Sequence, residues 1–217
     1  ASSAYRLTEQ THAGYLQYQQ ELTVAGAPLR ASVGLRYFNT SLSSTVPSQG
    51  GADTLAAGVG RRYDGYLPAL DLSYDVADDL LWRLGLSKNI TRPSLSDLAL
   101  FTNVTQTSLG ETDIGQINTG NPQLRPFKAN NLDTALEWYY HDSGTVTFAT
   151  FYKEVASFIK WDKTTETIDG QPFEVWKPYN DASKTARIRG YELAWLQTFD
   201  EMLPDYLAGF GLQANYT

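Results

Sequence analysis

The chain has 217 residues, a net charge of −7, no cysteine, and 14 Tyr, 9 Phe and 5 Trp. Disulfides and thiolate metal sites are therefore excluded, and nucleic acid is an unsuitable partner because no basic stripe is present to neutralise phosphates. The sequence has no apolar run of about 18 residues, so a membrane-spanning helix is excluded, whereas a membrane-spanning barrel, whose strands are short and half apolar, is not.

Alternation of apolar and polar residues predicts eight strands along the chain. In chain order they cover residues 12–21, 29–39, 63–75, 80–90, 129–140, 145–158, 186–199 and 207–217. The frequent aromatic and β-branched residues favour strands, and 17 glycines are compatible with many turns. The sequence thus predicts an all-β fold.

The connections between the predicted strands alternate strictly between short and long. The long ones are 40–62, 91–128 and 159–185, and the short ones include 24–28, 76–79, 142–144 and 200–206. In an antiparallel up-and-down meander, this alternation puts every long loop at one end of the sheet. Outer-membrane barrels show that asymmetry, whereas a soluble Greek-key sandwich has no reason to keep it.

The fifth predicted strand separates its side chains into two faces. Leu132, Leu136 and Trp138 share one side, and Asp133 and Glu137 share the other. This alternation alone is equally compatible with a lipid-facing strand and with a strand that covers a protein core.

Aromatic residues at both strand ends favour the membrane, since Tyr and Trp prefer the headgroup zone. The band at the short-turn end would contain Tyr74, Trp82, Trp138, Tyr140, Phe199 and Tyr206, and the band at the long-loop end Tyr37, Phe38, Tyr63, Tyr66, Phe158 and Trp161. The alternative is that these residues are abundant only because aromatic side chains favour strands.

The sequence contains few signs of catalytic or metal chemistry. His12 and His141 are isolated, and the 58–60 GVG stretch lacks the third glycine of a nucleotide-binding loop. Asp162, Glu166, Asp169 and Glu174 could be drawn as a glycosidase pair or a Ca²⁺ site, but a solvated acidic loop is the better interpretation. We therefore predict no catalytic residue, no metal site and no cofactor.

The same 159–185 loop carries the residues that we select as a candidate solute-binding set, namely Trp161, Asp162, Phe173, Trp176 and Tyr179. Aromatic rings beside polar groups suit sugars, which offer an apolar face and a rim of hydroxyls. The alternative is that these aromatics form the upper membrane girdle or pack the loop.

Seven stretches of the chain, in order, resemble one known family. They are TEQTHAGYLQYQQEL, PLRASVGLRYFNTSLSS, YDGYLPALDLSYDVADDLLWRLGLSKNITRPSLSDLAL, GNPQLRPFKANNLDTALEWYY, FATFYKEVASFI, RIRGYELAWLQTFD and LPDYLAGFGLQANYT. Together they are similar to the C-terminal barrel part of TonB-dependent outer-membrane receptors, in particular the subgroup described from Xanthomonas and Caulobacter. The GNP-x-L-x-P element followed by a strand is the most specific of these features.

The resemblance implies that Gly120, Asn121, Pro122 and Pro126 form a structural motif, which stiffens the end of an extracellular loop before the chain re-enters the barrel. It also implies that Asp133, Glu137 and Glu192 face the lumen while Leu132 and Leu136 meet outer-membrane lipid. A register slip of one residue would move the carboxylates into lipid, at a high free-energy cost.

On this interpretation, residues 1–217 are part of a larger transmembrane barrel in a Gram-negative outer membrane. The plug domain, the TonB-binding segment and the remaining strands are absent from this piece. The receptor would not be an enzyme but would take up a scarce small-molecule solute, a sugar being one candidate, with energy supplied through TonB. Two alternatives remain open at this stage: a soluble β-sandwich or barrel that binds carbohydrate, and a self-contained eight-stranded outer-membrane barrel.

Overall fold

A computed structural model describes residues 5–47, 55–100, 103–105, 115–168, 170–200, 204, 206 and 209–217. These residues form ten strands and one short helix. The elements are β1 (Arg6–Val24), β2 (Ala27–Pro47), β3 (Leu55–Ala77), β4 (Leu80–Thr91), α1 (Leu95–Leu98), β5 (Asn103–Thr105), β6 (Gly115–Asn118), β7 (Phe127–His141), β8 (Gly144–Ile168), β9 (Gln171–Thr198) and β10 (Gly211–Tyr216). No helix in the described part of the chain is long and apolar enough to cross a membrane.

All ten strands belong to one sheet. The long strands follow the order β1-β2-β3-β4-β7-β8-β9 with antiparallel neighbours, which confirms the predicted all-β meander. On the side away from β8, β9 pairs with two strands. β10 pairs antiparallel with its C-terminal part, and β6 pairs parallel with its N-terminal part. The described strands therefore do not form two sheets packed face to face, and the β-sandwich alternative is wrong.

The β1–β2 connection is a two-residue turn, in which Val24 pairs with Ala27. Ala25 and Gly26 both have positive φ, at 51° and 87°, as a type I′ hairpin turn requires. This turn follows the right-handed twist of the flanking strands. Ala25 is the weak point of the turn, because alanine adopts the left-handed region at a cost of about 1 kcal/mol.

Replacing Ala25 with asparagine is expected to stabilise the turn. Asn-Gly is the preferred pair for a type I′ turn, because Asn tolerates positive φ. We expect a gain of about 0.5 kcal/mol in the free energy of unfolding, measured by urea titration in detergent. As a control, the same substitution at Ala77, which has no positive φ, should give no gain. A loss of stability in the Ala25→Asn variant would contradict the turn geometry.

The predictions of unstructured loops at 40–62 and 159–185 are wrong over much of their length. β2 continues to Pro47 and β3 begins at Leu55, while β8 continues to Ile168 and β9 begins at Gln171. These strand ends interrupt the regular alternation: Leu42 lies among serine and threonine residues, and Lys163 and Thr165 follow Ile159 and Trp161 on one face. The period that reveals a half-buried strand is therefore lost, although most of these residues are compatible with strands.

The β8–β9 hairpin bends where it leaves the main sheet. Ala156 pairs with Thr185, but the next pair along β8 is Phe158 with Asp181, so both strands have unpaired residues at this level. Ser157 has a positive φ of 68°, typical of a bulge that redirects a strand. The pairing register therefore changes between the inner and the outer part of the hairpin.

The sheet has one apolar face and one polar face. Leu86 lies between Leu70 and Leu132 across three strands on the apolar face. On the polar face, Gly85 lies between Asp71 and Asp133 in the same way. Leu132 and Leu136 are each 40% exposed and Trp138 is 48% exposed. A continuous exposed apolar face of this size is suited to lipid rather than to water.

The predicted aromatic bands are partly correct. Tyr37 and Tyr66 are paired across strands on the apolar face, with ring centroids 5.1 Å apart. Phe38 and Tyr63, however, lie on the polar face, with centroids 6.2 Å apart, and Phe38 is buried. These two residues cannot form a lipid-facing girdle. Phe158 packs against Phe127 instead.

Candidate functional site

Most of the buried apolar side chains in the described part of the chain lie at the long-loop end. There the described residues of the connection between β4 and β7, namely 92–100, 103–105 and 115–126, fold over the sheet; we call them the inner strap. Leu98 and Leu124 of the strap are 2% and 1% exposed and pack with Leu42 of β2, which is 4% exposed. Leu7 and Ile159 complete this cluster. The strap thus closes part of the polar face near the long loops.

Polar contacts attach the first half of the strap to β1 and β2. The Nε of Arg92 lies 3.1 Å from a carboxylate oxygen of Glu9, and its Nη2 donates to the hydroxyl of Thr11 at 3.1 Å. The backbone N–H of Leu100 donates to the Ser44 hydroxyl at 3.0 Å. Because Ser44 is fully buried, water has little access to this hydrogen bond.

The motif residues Gly120, Asn121, Pro122 and Pro126 form the return path of the strap directly before β7. The N–H of Gly120 donates to the carbonyl of Ala99 at 3.1 Å, and the N–H of Asn121 to that of Asp97 at 2.6 Å. Pro122 and Pro126 are both buried. The segment therefore joins the two halves of the strap and then enters the sheet.

Two asparagine side chains attach this return path to the β8–β9 hairpin. The amide of Asn121 donates to the carbonyl of Pro178 at 2.9 Å. The Oδ1 of Asn180 accepts from the N–H of Arg125 at 2.6 Å, while its Nδ2 donates to the carbonyl of Arg125 at 2.9 Å. The side-chain amide of Asn180 thus bonds both the N–H and the carbonyl of Arg125, as the backbone of a neighbouring strand would. Sequence reasoning missed Asn180, because its partner is 55 positions away.

The candidate solute-binding residues lie on the paired strands of the hairpin, not in a loop, and they divide between its two faces. Trp161 pairs with Pro178, and Trp176 pairs with Lys163. Alternation puts both tryptophans on the face that carries Ile159 and Asn180, which contacts the strap. Trp161 is 44% exposed and Trp176 is 38% exposed. Asp162, Phe173 and Tyr179 lie on the opposite face.

Two carboxylates of the hairpin, Glu174 and Glu166, are occupied by cross-strand contacts. Glu174 accepts from Lys163 at 2.6 Å and from Gln116 of β6 at 3.2 Å, and Glu166 is bonded to Lys177. The hydrogen bond from Lys177 lowers the pKa of Glu166. Among the described residues, no group of three acidic or histidine side chains is arranged to hold a metal ion. Asp169 lies outside the described residues.

Asp181, which sequence reasoning did not select, is bonded to two partners at the bend of the hairpin. Lys160 Nζ lies 2.7 Å from its Oδ2, and its Oδ1 accepts from the N–H and the hydroxyl of Ser183. The hydrogen bond from Lys160, followed by that from Ser183, lowers the pKa of Asp181 from 3.8 to about 2. The charged form is therefore favoured in the folded state.

The bend is expected to weaken only in strong acid. Because the folded-state pKa of Asp181 is depressed, its contribution to stability is present above pH 3.8 and is lost as the pH falls towards 2. We expect pepsin, which is active in this range, to cleave near the bend increasingly below pH 3. In an Asp181→Asn variant, cleavage should already be fast at pH 4, whereas Asp162→Asn should behave like the parent. Equal cleavage of all three proteins would contradict this role.

The predicted lumen residues Asp133, Glu137 and Glu192 all lie on the polar face. Glu137 accepts from Arg83 Nε at 2.7 Å and from the Tyr139 hydroxyl at 2.6 Å. Asp133 and Glu192 border a concave space of about 500 Å³, together with Arg83, Lys153 and Phe151. This lining combines four charged side chains with apolar ones such as Phe151, and the charges are suited to an aqueous path.

The sequence matches a family model described as TonB dependent receptor-like, beta-barrel, over residues 1–217. The chain belongs to this family. Its members are outer-membrane proteins of Gram-negative bacteria, and they are receptors rather than enzymes. The predicted resemblance, the predicted location and the prediction that the chain is not an enzyme are thereby confirmed. Membership of the Xanthomonas and Caulobacter subgroup stays a prediction.

Solved structures of receptor barrels share the fold of this chain. The copper transporter OprC superposes with a TM-score of 0.61, at 18% identity over 96% of this chain and 28% of that chain. The ferric enterobactin receptor PfeA of Pseudomonas aeruginosa, a Q482A mutant in complex with enterobactin, gives a TM-score of 0.56, at 16% identity over 97% of this chain and 35% of that chain. The siderophore receptor PirA of Acinetobacter baumannii gives 0.51, at 13% identity over 90% and 35%.

At these identities, the structural likeness concerns the fold alone. The chain spans about a third of the length of the first solved relatives that it matches. The sequence has no match among curated proteins.

Proposed function

We propose that this chain forms part of the wall and part of the long-loop end of an outer-membrane active transporter. The observation that carries the proposal is the combination of an exposed apolar face with a polar face that the inner strap partly covers. Such a wall separates lipid from an aqueous path, and the strap narrows that path near the long loops. A solute would bind at the long-loop end and pass along the polar face once TonB, driven by the inner-membrane proton gradient, has remodelled the plug.

The solute is a separate part of the proposal. The relatives are named for siderophores and for copper, which makes a metal-containing solute one candidate. The carbohydrate predicted from the hairpin aromatics is supported only by Trp161 and Trp176, which share one exposed face beside the Lys163–Glu174 pair. We keep the carbohydrate as the second candidate, on the strength of that face.

Uptake measurements test the transport function. A strain that lacks the full-length receptor should lose uptake of one of three labelled solutes: a glucose hexasaccharide, ferric enterobactin or Cu²⁺. A strain that lacks TonB should lose the same uptake. If removing the receptor leaves the uptake of all three solutes unchanged, these three solutes are excluded. If the receptor imports a solute in a strain without TonB, active transport through TonB is refuted.

Substitutions on the hairpin test the carbohydrate candidate. We expect Trp161→Ala and Trp176→Ala each to weaken sugar uptake about fivefold, because an aromatic contact contributes about 1 kcal/mol. Tyr179→Ala, on the opposite face of the same hairpin, is the matched control and should leave the apparent KM unchanged. An equal effect of all three variants would indicate a general disturbance of the hairpin rather than sugar contacts.

A further inference from the structure

Cationic side chains are distributed unevenly along the barrel axis. The row Asp71–Gly85–Asp133 divides the sheet into a turn side and a long-loop side. On the turn side, Arg30 and Arg83 are the only Lys or Arg residues among those described, and both are ion-paired, with Asp75 at 2.6 Å and Glu137 at 2.7 Å. The remaining cationic residues lie on the long-loop side, where an incoming solute would arrive first.

Two of the long-loop cations, Arg61 on the polar face of β3 and Arg125 of the strap, are near enough for their charges to interact. Arg61 of β3 pairs directly with Leu42, and Leu42 packs against Leu124, the residue that precedes Arg125 in the strap. The Gln123 amide donates to the carbonyl of Gly60, at 3.4 Å. The strap is thus attached to β3 beside Arg61, and Arg61 and Arg125 flank the Leu42–Leu124 contact.

Neither guanidinium is neutralised by the described part of the chain, since no carboxylate there lies within ion-pair distance of either one. Burial of Arg61, and after it the positive charge of Arg125, lower the pKa of Arg61, so the two like charges lie within electrostatic reach of each other. The guanidinium carbon of Arg61 lies 6.0 Å from the centre of the Tyr63 ring. A cation–π contact of this kind orients the guanidinium but does not cancel its charge.

We propose that Arg61 and Arg125 form a subsite for an anionic group of the solute, a carboxylate or a phosphate, with Tyr63 holding Arg61 in place. Guanidinium groups bind both anions through paired N–H donors. An anion between the two arginines would remove their repulsion and attach the strap more firmly to β3. This inference rests on the proposed transport function, since it specifies a chemical property of the transported solute.

The face of β3 on which an arginine lies determines which anions can reach it. Arg61 shares the polar face with Leu42 and the strap, whereas Arg62, the next residue, is exposed on the opposite face. Lipopolysaccharide phosphates approach from the opposite face and would meet Arg62. A soluble anion on the polar face would meet Arg61 and Arg125.

Binding of succinate and of succinamide, its neutral analogue, tests the subsite. The full-length receptor is purified in detergent without lipopolysaccharide and titrated calorimetrically at low ionic strength, where ion pairing is least screened. We expect saturable binding of succinate and none of succinamide. Arg61→Gln and Arg125→Gln should each weaken succinate binding at least about tenfold, and Arg62→Gln should leave it unchanged.

Arg61→Gln and Arg125→Gln each remove a repulsive charge, so neither variant threatens the fold. The two substitutions lie in separate segments of the chain. The proposal is overturned if the parent does not bind succinate, if the two variants bind it as well as the parent does, or if Arg62→Gln is equally damaging. The last outcome would assign the anion to the lipid side. Because this titration needs neither TonB nor transport, its failure is distinguishable from a failure of the proposed function.

Discussion

Replacing Leu132 with arginine is expected to destabilise the barrel wall strongly in lipid. Leu132 lies between Leu86 and Tyr152 on the apolar face and is 40% exposed. A cation at the middle of the lipid-facing surface of a barrel costs about 2–4 kcal/mol, a large share of a typical stability of about 5–15 kcal/mol. The measurement is the folded fraction of the full-length receptor in lipid vesicles as a function of urea.

Arginine at the adjacent position 133 is the matched control. Asp133 lies on the polar face, opposite Gly85 and Phe151, where a charge of either sign remains hydrated. We expect Asp133→Arg to change the free energy of unfolding by less than about 1 kcal/mol. If the two variants were equally unstable, the assignment of the two faces would be wrong.

Gly120→Ala is expected to have the second large effect. A Cβ at position 120 would lie 2.2 Å from the carbonyl oxygen of Ala99 and 2.8 Å from that of Asp97. Both atoms belong to the backbone of the strap, so no side chain can move aside. Overpacking of this kind costs about 3 kcal/mol, and the first half of the strap should detach from its return path.

Proteolysis of the folded receptor measures this effect. We expect the Gly120→Ala variant to be cleaved within residues 92–100 or 115–126 under conditions that leave these residues intact in the parent, while the strands stay protected. Gly34→Ala is the control, because a Cβ there meets its nearest atom only at 4.0 Å. A strap that remains protected in Gly120→Ala would contradict the close backbone contact at this position.

The Gly120 contact explains why the motif at 120–126 could be recognised but not interpreted from the sequence. Glycine and two prolines indicate a rigid turn wherever they occur. That the turn packs on Ala99 and Asp97 depends on where the strap lies. The sequence-based interpretation had this segment stiffen the end of a loop, and the described contacts add that it holds the strap and the β8–β9 hairpin together.

The candidate site was predicted less well than the strands. Trp161, Asp162, Phe173, Trp176 and Tyr179 were grouped because they are near one another in the sequence. Pairing of β8 with β9 separates them onto two faces, a consequence of side-chain alternation that can be drawn only once the strands are known. Arg61 and Arg125 are far apart in the chain, and no sequence pattern connects them.

The sequence by itself determined the strands of the wall, their two faces and the family. A strand with lipid on one side and water on the other must alternate apolar and polar side chains. Every second residue therefore belongs to the same face. Leu132 and Asp133 could therefore be assigned to opposite faces without coordinates.

Only the tertiary structure decided what lies beyond the membrane. There, the regular alternation is interrupted, and the chain is held by the Leu42–Leu98–Leu124 cluster and by polar contacts between distant segments, such as Arg92 with Glu9 and Asn180 with Arg125. Each of these contacts joins single residues that are far apart in the chain. Because they have no period along the chain, they become visible only when the strap is folded onto the sheet.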